Sequence, residues 1–456
     1  MKLTLKELAT LFPKNTLECD GAFEVASLCQ DTRKIAKGDV YIAISGDNFD
    51  GHDFIGAAFE KGAVATLVSK SDLKVKNCFY CEDTVAGLGK IASYYRDKFS
   101  QPLIAITGSN GKTTTKEYLA HVLSQSGPVI ATVGNLNNHI GVPLTISRFD
   151  EKSRYFVVEM GMNHAGEIRY LAKIAKPTIA LITGVGHAHM EGVGGKLTDV
   201  AQAKGELFEE LDASVIAIVN ADDPHVVNLP TKAKRVTFGL APNANIRAEN
   251  LEFLRGHTKF TICHGNETHP VKIQMTGYHH VRNALAVFAI CKTLGLATKE
   301  IIAGLESFNV DFNRGRILEK GRVFLVDDTY NANPDSMRAA FESLALQFPK
   351  TRKIAVLGGM LELGSRSSEL HLEVGTAAKS MGLDEIFTYG GDSIQYLKGF
   401  GYSESEIATH SFTTHDTMAE KIAARLKSHS GEAVLLLKGS RGMKMEKVLE
   451  RLLVIL

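Results

Sequence analysis

Leu103–Thr115 reads LIAITGSNGKTTT. An apolar run, Leu103–Thr107, leads into a turn with glycines at 108 and 111, and a helical pattern, KEYLAHVL, follows from Lys116. A strand that passes through a glycine turn into a helix start is a cradle for phosphate. Glycines let backbone N–H groups turn inward, and the helix N-terminus adds a favourable dipole. Lys112 is placed to reach the β- and γ-phosphates, and the Thr113 hydroxyl to ligate Mg²⁺. The general pattern has four residues between its glycines; here there are two, and Ile106 stands where the first glycine would fall. The loop is therefore a short kind of phosphate loop. Gly108, Ser109, Asn110, Gly111, Lys112, Thr113 and Thr114 are expected on the phosphates of a nucleotide.

Working outward, further apolar strands at Tyr155–Glu159, 179–183 and 215–220 alternate with helical patterns. That alternation implies βαβ units and a mostly parallel sheet. Residues 245–275 alternate with period two instead and predict added antiparallel strands, before a helix over 279–294. After Asn313-Arg314-Gly315-Arg316 a second series begins, with strands at 323–327, 353–357, 385–389 and 433–438. Its strand ends run into loops rich in Asp, Asn, Gly and Ser, where open parallel sheets bind ligands. Before the loop, short β-like runs at 39–44 and 63–68 and a helix over 84–99 precede Pro102. The expected fold class is α/β in three domains: 1–84, a small α/β domain; 85–313, a central phosphate-loop ATPase domain; and 314–456, a Rossmann-like domain.

Composition sets the outer bounds. Of 456 residues, 44% are hydrophobic and 23% charged, with net charge +1, which excludes a disordered chain and a binder driven by bulk charge on nucleic acid. No window is apolar for the ~18 residues that span a bilayer, and the amphipathic start, MKLTLKELATLF, is no signal peptide, so a cytoplasmic protein is expected. Six cysteines make no disulfide framework, and Cys78 and Cys81 form a CxxC inside a strand-like run, which reads as structural.

Other residues carry chemistry only in context. Glu159 ends a strand beside the phosphate loop, as a metal ligand or water orienter would. His187 and His189 alternate in GVGHAHMEG and face one side of an extended segment. Lys204, in AKGE within a helical stretch, reads as a solvated residue.

Taken in order, these segments resemble the Mur ligases, the ATP-dependent amide-bond ligases of peptidoglycan precursor synthesis. The resemblance rests on TGSNGKT, Val158-Glu159-Met160-Gly161, the segment ending His189-Met190-Glu191, Ala203-Lys204-Gly205-Glu206, and Gly277-Tyr278-His279 leading to Asn283-Ala284-Leu285. It covers essentially the whole chain. Three longer segments, 134–143 (GNLNNHIGVP), 327–336 (DDTYNANPDS) and 357–364 (LGGMLELG), are similar to those of members that join D-alanyl-D-alanine to a UDP-N-acetylmuramoyl-tripeptide.

The resemblance implies roles residue by residue. Lys112 holds the γ-phosphate, Thr113 and Glu159 one Mg²⁺, and His189 a second. Lys204 is implied to carry a carbamate, an anion that ligates metal, against its reading as a solvated residue; Lys112, Lys204 and His189 form the implied catalytic set. Asn283 contacts adenine, while Arg316 and Asp328 close over the nucleotide. Asp31, Thr32, Arg33, Gly46, Asp50 and His52 grip the UDP-sugar, and Asn135, Asn137, Asn138, Asn331 and Asn333 orient the peptide and dipeptide. Gly359, where Asp is more usual, and His280, where Asn is more usual, depart from the family pattern. A monomer with small-molecule substrates is expected. The other readings are a sister ligase adding a single amino acid, a folylpolyglutamate synthetase-like ligase, and a phosphate-loop switch that hydrolyses nucleotide without an acceptor.

Overall fold

The computed structural model describes residues 3–18, 20–309 and 313–456. Leu103–Thr107 is a fully buried strand inside a nine-stranded sheet, between Tyr155–Glu159 and Ile179–Ile182 and parallel to both. The parallel run continues through Ile216–Asn220 and Lys234–Gly239 on one side and ends at Val129–Ala131 on the other. As expected from the period-two pattern, Ile246–Leu254, His257–His264 and Glu267–Ile273 extend the sheet as an antiparallel meander.

The near-continuous apolar strands are explained by cores on both faces. Ile104, Ile106, Val157 and Leu181 pack against Tyr118, Leu119, Leu285 and Phe288. Leu103, Ala105, Phe156 and Val158 face the other way, into a core that includes Leu88, Ile91, Ile168 and Leu207.

The first unit is a four-stranded parallel sheet, ordered Leu28–Cys29, Val40–Ile42, Ala65–Val68 and Cys78–Tyr80. The amphipathic start forms the helix Leu5–Leu11, which buries Leu5 and Leu8 behind a Thr4–Glu7 capping box. Cys78 lies in its strand, and burial pushes both its thiol and that of Cys81 up to about 11, which leaves them unreactive.

The boundary expected at 84/85 falls on the helix Thr84–Arg96, whose packing belongs to both sides. Thr84 Oγ1 donates to the Ala43 carbonyl at 3.0 Å, while Tyr95 donates to the Phe149 carbonyl at 2.8 Å and Arg96 to that of Ala175 at 2.9 Å.

The last unit is a six-stranded sheet, ordered Arg316–Lys320, Val323–Asp328, Ala433–Lys438, Arg352–Gly358, Glu385–Tyr389 and Ser411–Phe412. Its edge strand Arg316–Lys320, antiparallel to its neighbour, was not expected: RILEK has only two apolar residues and no alternation to announce it. Where the strand order doubles back, Asp328, Gly358 and Lys438 end three neighbouring strands and open a crevice. The central unit's Arg255 lies over the rings of Phe324 and Phe348 of this unit, 4.2 Å and 4.9 Å from their centres. No helix among the described residues is long and apolar enough to cross a membrane.

Candidate active site

The phosphate loop is built as its sequence requires. Gly108 and Gly111 have φ of +146° and +81°; a Cβ at Gly108 would meet Thr183 Oγ1 at 1.9 Å, so no other residue fits there. The loop is pinned to the segment after the neighbouring strand: Ser109 N–H donates to the Gly184 carbonyl at 2.8 Å, and Thr183 Oγ1 to that of Asn110 at 2.5 Å. The helix Lys112–Ser124 starts directly from Gly111 with no side-chain cap, which leaves its first N–H groups facing the cleft. Lys112 curls over the loop, donating Nζ to the Gly108 carbonyl at 2.7 Å. Burial lowers its pKa, and the charge of Glu159 opposes that shift.

Glu159 is 1% exposed. Its Oε1 accepts from Thr113 Oγ1 at 3.2 Å and from Asn137 Nδ2 at 2.8 Å. Its Oε2 is buried with no hydrogen-bond partner among the described residues. An orphaned carboxylate oxygen beside a hydroxyl at a phosphate loop suits a hard cation such as Mg²⁺. Lys204 is likewise 1% exposed, and its ammonium has no hydrogen bond or ion pair among the described residues. Burial, and then the charge of Lys112, hold its pKa well below the usual range. The solvated-residue reading of Lys204 is therefore corrected: it is a buried amine whose charged form is disfavoured.

A cleft of about 940 Å³ runs from this loop to the last unit. Ser109 to Thr114, Asn135, Asn137, Asn138, Glu159, His189 and Asn283 line one side, and Arg314, Arg316, Asp328, Asn331, Asn333 and Lys438 the other. Asn283 Oδ1 sits against Gly111, 3.0 Å from where a Cβ would be. Asp328 is paired with Lys438 Nζ at 2.6 Å, which also donates to the Asn331 carbonyl at 2.9 Å.

Several expected roles change in place. His189, implied as a metal ligand, has φ +58° and pairs through Nδ1 with Glu362 at 2.8 Å. Among the described residues no group of three or more His, Cys, Asp or Glu is arranged to hold a metal, so His189 joins no such cluster. Four of the five asparagines implied for peptide binding have amides engaged within the chain. Asn137 serves Glu159; Asn138 Oδ1 accepts from Gly141 N–H at 2.9 Å; Asn331 Oδ1 accepts from Ala332 N–H at 2.9 Å; and Asn333 caps the helix Pro334–Gln347 while bonding Asn110.

The residues implied for the UDP-sugar line no part of this cleft. Asp31 and Arg33 pair at 2.9 Å with Arg33 largely exposed. Asp50 binds Lys70 and His52, both at 2.6 Å, and Ser69 N–H donates to the other nitrogen of the buried His52 at 3.0 Å, so His52 orients Asp50. Gly46 and Asp50 sit on the two strands of a short antiparallel hairpin.

The departure at His280 places two imidazoles face to tilted face, 4.0 Å apart, and burial lowers both, His280 to about 4. At Gly359 a Cβ would lie 3.7 Å from His371 Nε2 and 3.8 Å from Met443 Sδ, so the space would admit a side chain.

Sequence reasoning missed the acids that reach the histidine loop from the last unit. Asp335 accepts the His187 N–H at 2.6 Å and faces its ring at 3.1 Å; burial would raise its pKa, but His187 holds it low. Glu362 grips His189. The signal was an acid in the first turn of a helix after Asn333-Pro334, which reads first as capping chemistry.

The chain resembles known proteins along its length. Family models match in turn: the Mur ligase family catalytic domain over 24–93, the Mur ligase middle domain over 106–291, and the Mur ligase glutamate ligase domain over 313–441. The chain is 36% identical over 433 residues to the UDP-N-acetylmuramoyl-tripeptide–D-alanyl-D-alanine ligase of Escherichia coli K12, covering 92% of each. It is 32% identical to that of Bacillus subtilis 168, covering 99% of each. The crystal structure of MurF from Acinetobacter baumannii superposes with TM-score 0.91 at 30% identity, over 100% of this chain and 99% of that one. MurF ligase of Thermotoga maritima in complex with ADP gives 0.82 at 30% identity, over 93% and 96%.

Proposed function

The chain belongs to the Mur ligase family, and from that premise we propose that its cleft joins D-alanyl-D-alanine to a UDP-N-acetylmuramoyl-tripeptide at the expense of ATP. It is an ATP-dependent ligase that forms an amide bond in peptidoglycan precursor synthesis, working in the cytoplasm. The single observation that carries the chemistry is the phosphate loop with Lys112, Thr113 and an unpartnered Glu159 oxygen at one end of a cleft whose other wall is the last unit.

A carboxylate and an amine do not condense directly, because the oxygen that must leave is a poor leaving group. The terminal carboxylate of the tripeptide attacks the γ-phosphorus, the bond to the β-phosphate oxygen breaks, and an acyl phosphate and ADP form. The dipeptide amine then attacks the acyl carbon, loses its proton, and phosphate leaves carrying an oxygen that began in the carboxylate.

The loop N–H groups and Lys112 hold the phosphates and offset charge as it moves onto ADP. Thr113 and Glu159 would hold Mg²⁺, which would neutralise phosphate charge when bound. The buried Lys204 amine could add carbon dioxide with loss of a proton, and the carbamate would supply an anion for a second Mg²⁺, for which His189 would serve as a further ligand only on leaving Glu362. Arg316 and Asp328 close over the nucleotide beside Asn283. Asp31, Thr32, Arg33, Gly46, Asp50 and His52 form the UDP-sugar grip. The chain acts as a monomer of three domains, 1–84, 85–313 and 314–456.

Heavy oxygen placed in the tripeptide carboxylate tests this order of events. It must appear in the released phosphate; phosphate without the label would rule out acyl phosphate formation.

A further inference from the structure

Lys116 stands one turn beyond Lys112 in the helix Lys112–Ser124 and is 0% exposed. Lysine is almost never fully buried unless its charge is partnered. Its Nζ donates to the carbonyls of Thr132 at 2.7 Å and Gly134 at 3.3 Å. It also pairs with Glu117 at 2.7 Å and lies 4.0 Å from Glu159 Oε2, the oxygen without a hydrogen-bond partner among the described residues.

The same segment is tied to Glu159 twice more. Thr132 Oγ1 accepts the Glu159 N–H at 3.0 Å, and Asn137 donates Nδ2 to Oε1 at 2.8 Å while its carbonyl accepts from Gly161 N–H, also at 2.8 Å. One buried ammonium thus joins residues 132–134, which lead into Asn135, Asn137 and Asn138, to the carboxylate that ends the strand Tyr155–Glu159.

Packing alone does not account for this lysine. A methionine would fill the same volume without desolvating a charge. Binding two carbonyls just past the strand Val129–Ala131 is work for an ammonium. At 4.0 Å the charge attracts Glu159 Oε2 without donating a hydrogen bond to it, which leaves that oxygen free for another partner.

We infer that Lys116 is a positioning residue for the ligase reaction, fixing the metal carboxylate Glu159 and the asparagine-bearing segment 132–138 in one relation. The inference rests on the reading of Glu159 as a Mg²⁺ ligand. Lys116 touches neither substrate nor metal; it acts through Glu159, as outer partners of metal ligands do.

The test measures binding of a non-hydrolysable ATP analogue to the full chain by calorimetry, in EDTA and in Mg²⁺. The ratio of the two Kd values is the Mg²⁺ contribution. Glu159→Gln should abolish it. Lys116→Gln should cut it by about 10-fold while leaving the Kd in EDTA unchanged, whereas a purely structural role would weaken both alike. Lys116→Arg, which keeps the charge, should retain most of the ratio. A Lys116→Gln protein with the wild-type ratio overturns the inference. If Glu159→Gln also leaves the ratio untouched, the reading of the metal site fails first. Should Lys116→Gln not fold, Lys116→Met decides: a folded protein with the ratio cut and the Kd in EDTA unchanged supports the role, and one with the wild-type ratio overturns it.

Discussion

Asn110 in the phosphate loop and Asn333 in the last unit exchange hydrogen bonds side chain to side chain, Asn333 Nδ2 to Asn110 Oδ1 at 2.8 Å and Asn110 Nδ2 to Asn333 Oδ1 at 3.3 Å. The loop that takes ATP is thereby clasped to the unit that must close over it. Asn333 also caps its own helix through the Ser336 N–H at 2.9 Å. Asn333→Ser keeps the cap and removes the clasp, so it should melt within about 1 kcal/mol of the wild type yet lower kcat by about 10-fold. Nucleotide Kd should change little. Calorimetric melting and steady-state rates check this, and an unchanged kcat would show that the clasp is dispensable.

Lys112→Ala should lose about 10³ in kcat, as removal of a central charge stabiliser does. The Kd for the UDP-linked substrate should stay near the wild-type value. Near-normal turnover would remove Lys112 from its assigned place.

Lys204 has a pKa held well below the usual range by burial and then by Lys112, which favours the uncharged amine that adds carbon dioxide. Stripping dissolved carbon dioxide and bicarbonate should lower activity, and adding bicarbonate should restore it. Lys204→Ala should be nearly inactive and indifferent to bicarbonate. A wild-type enzyme equally active in both conditions would argue against the carbamate.

The clearest pH effect on stability is expected at Glu7, which binds Lys98, Thr4 and Tyr94 and so ties the first helix to the stretch after Thr84–Arg96. Burial would raise its pKa, but those hydrogen bonds, led by Lys98, hold it at about 2. The folded value lies below the unfolded one, so its contribution is complete above a pH of about 4.5 and is lost as pH falls toward about 2. Glu7→Gln should lose about 1–2 kcal/mol at neutral pH and show a shallower fall in melting temperature across that acid range. Parallel acid limbs in the two proteins would contradict the assignment.

Much of the fold was legible because strong local signals coincide with buried strands. Leu103–Thr107, Tyr155–Glu159 and Ala433–Lys438 are near-continuous apolar runs between turns, and they lie where the sequence places them. Arg316–Lys320 was invisible because an edge strand facing water needs no apolar pattern. The phosphate loop was readable because its conformation demands glycine at fixed positions. Lys116 and Lys204 were not, since nothing local distinguishes a buried lysine from a solvated one; only packing does. The asparagines of 327–336 and 134–143 looked like substrate contacts because amides suit carboxylates and amines. The structure spends Asn137 on Glu159 and Asn333 on Asn110, contacts between residues 22 and 223 apart that no window reveals.

The most direct measurement is phosphate release with Mg²⁺-ATP and the UDP-N-acetylmuramoyl-tripeptide, with and without D-alanyl-D-alanine. Sustained release only when the dipeptide is added, matched one for one by new amide product and absent with single amino acids, is the result predicted. Sustained release without an acceptor, or equal release with a single amino acid, would contradict the account.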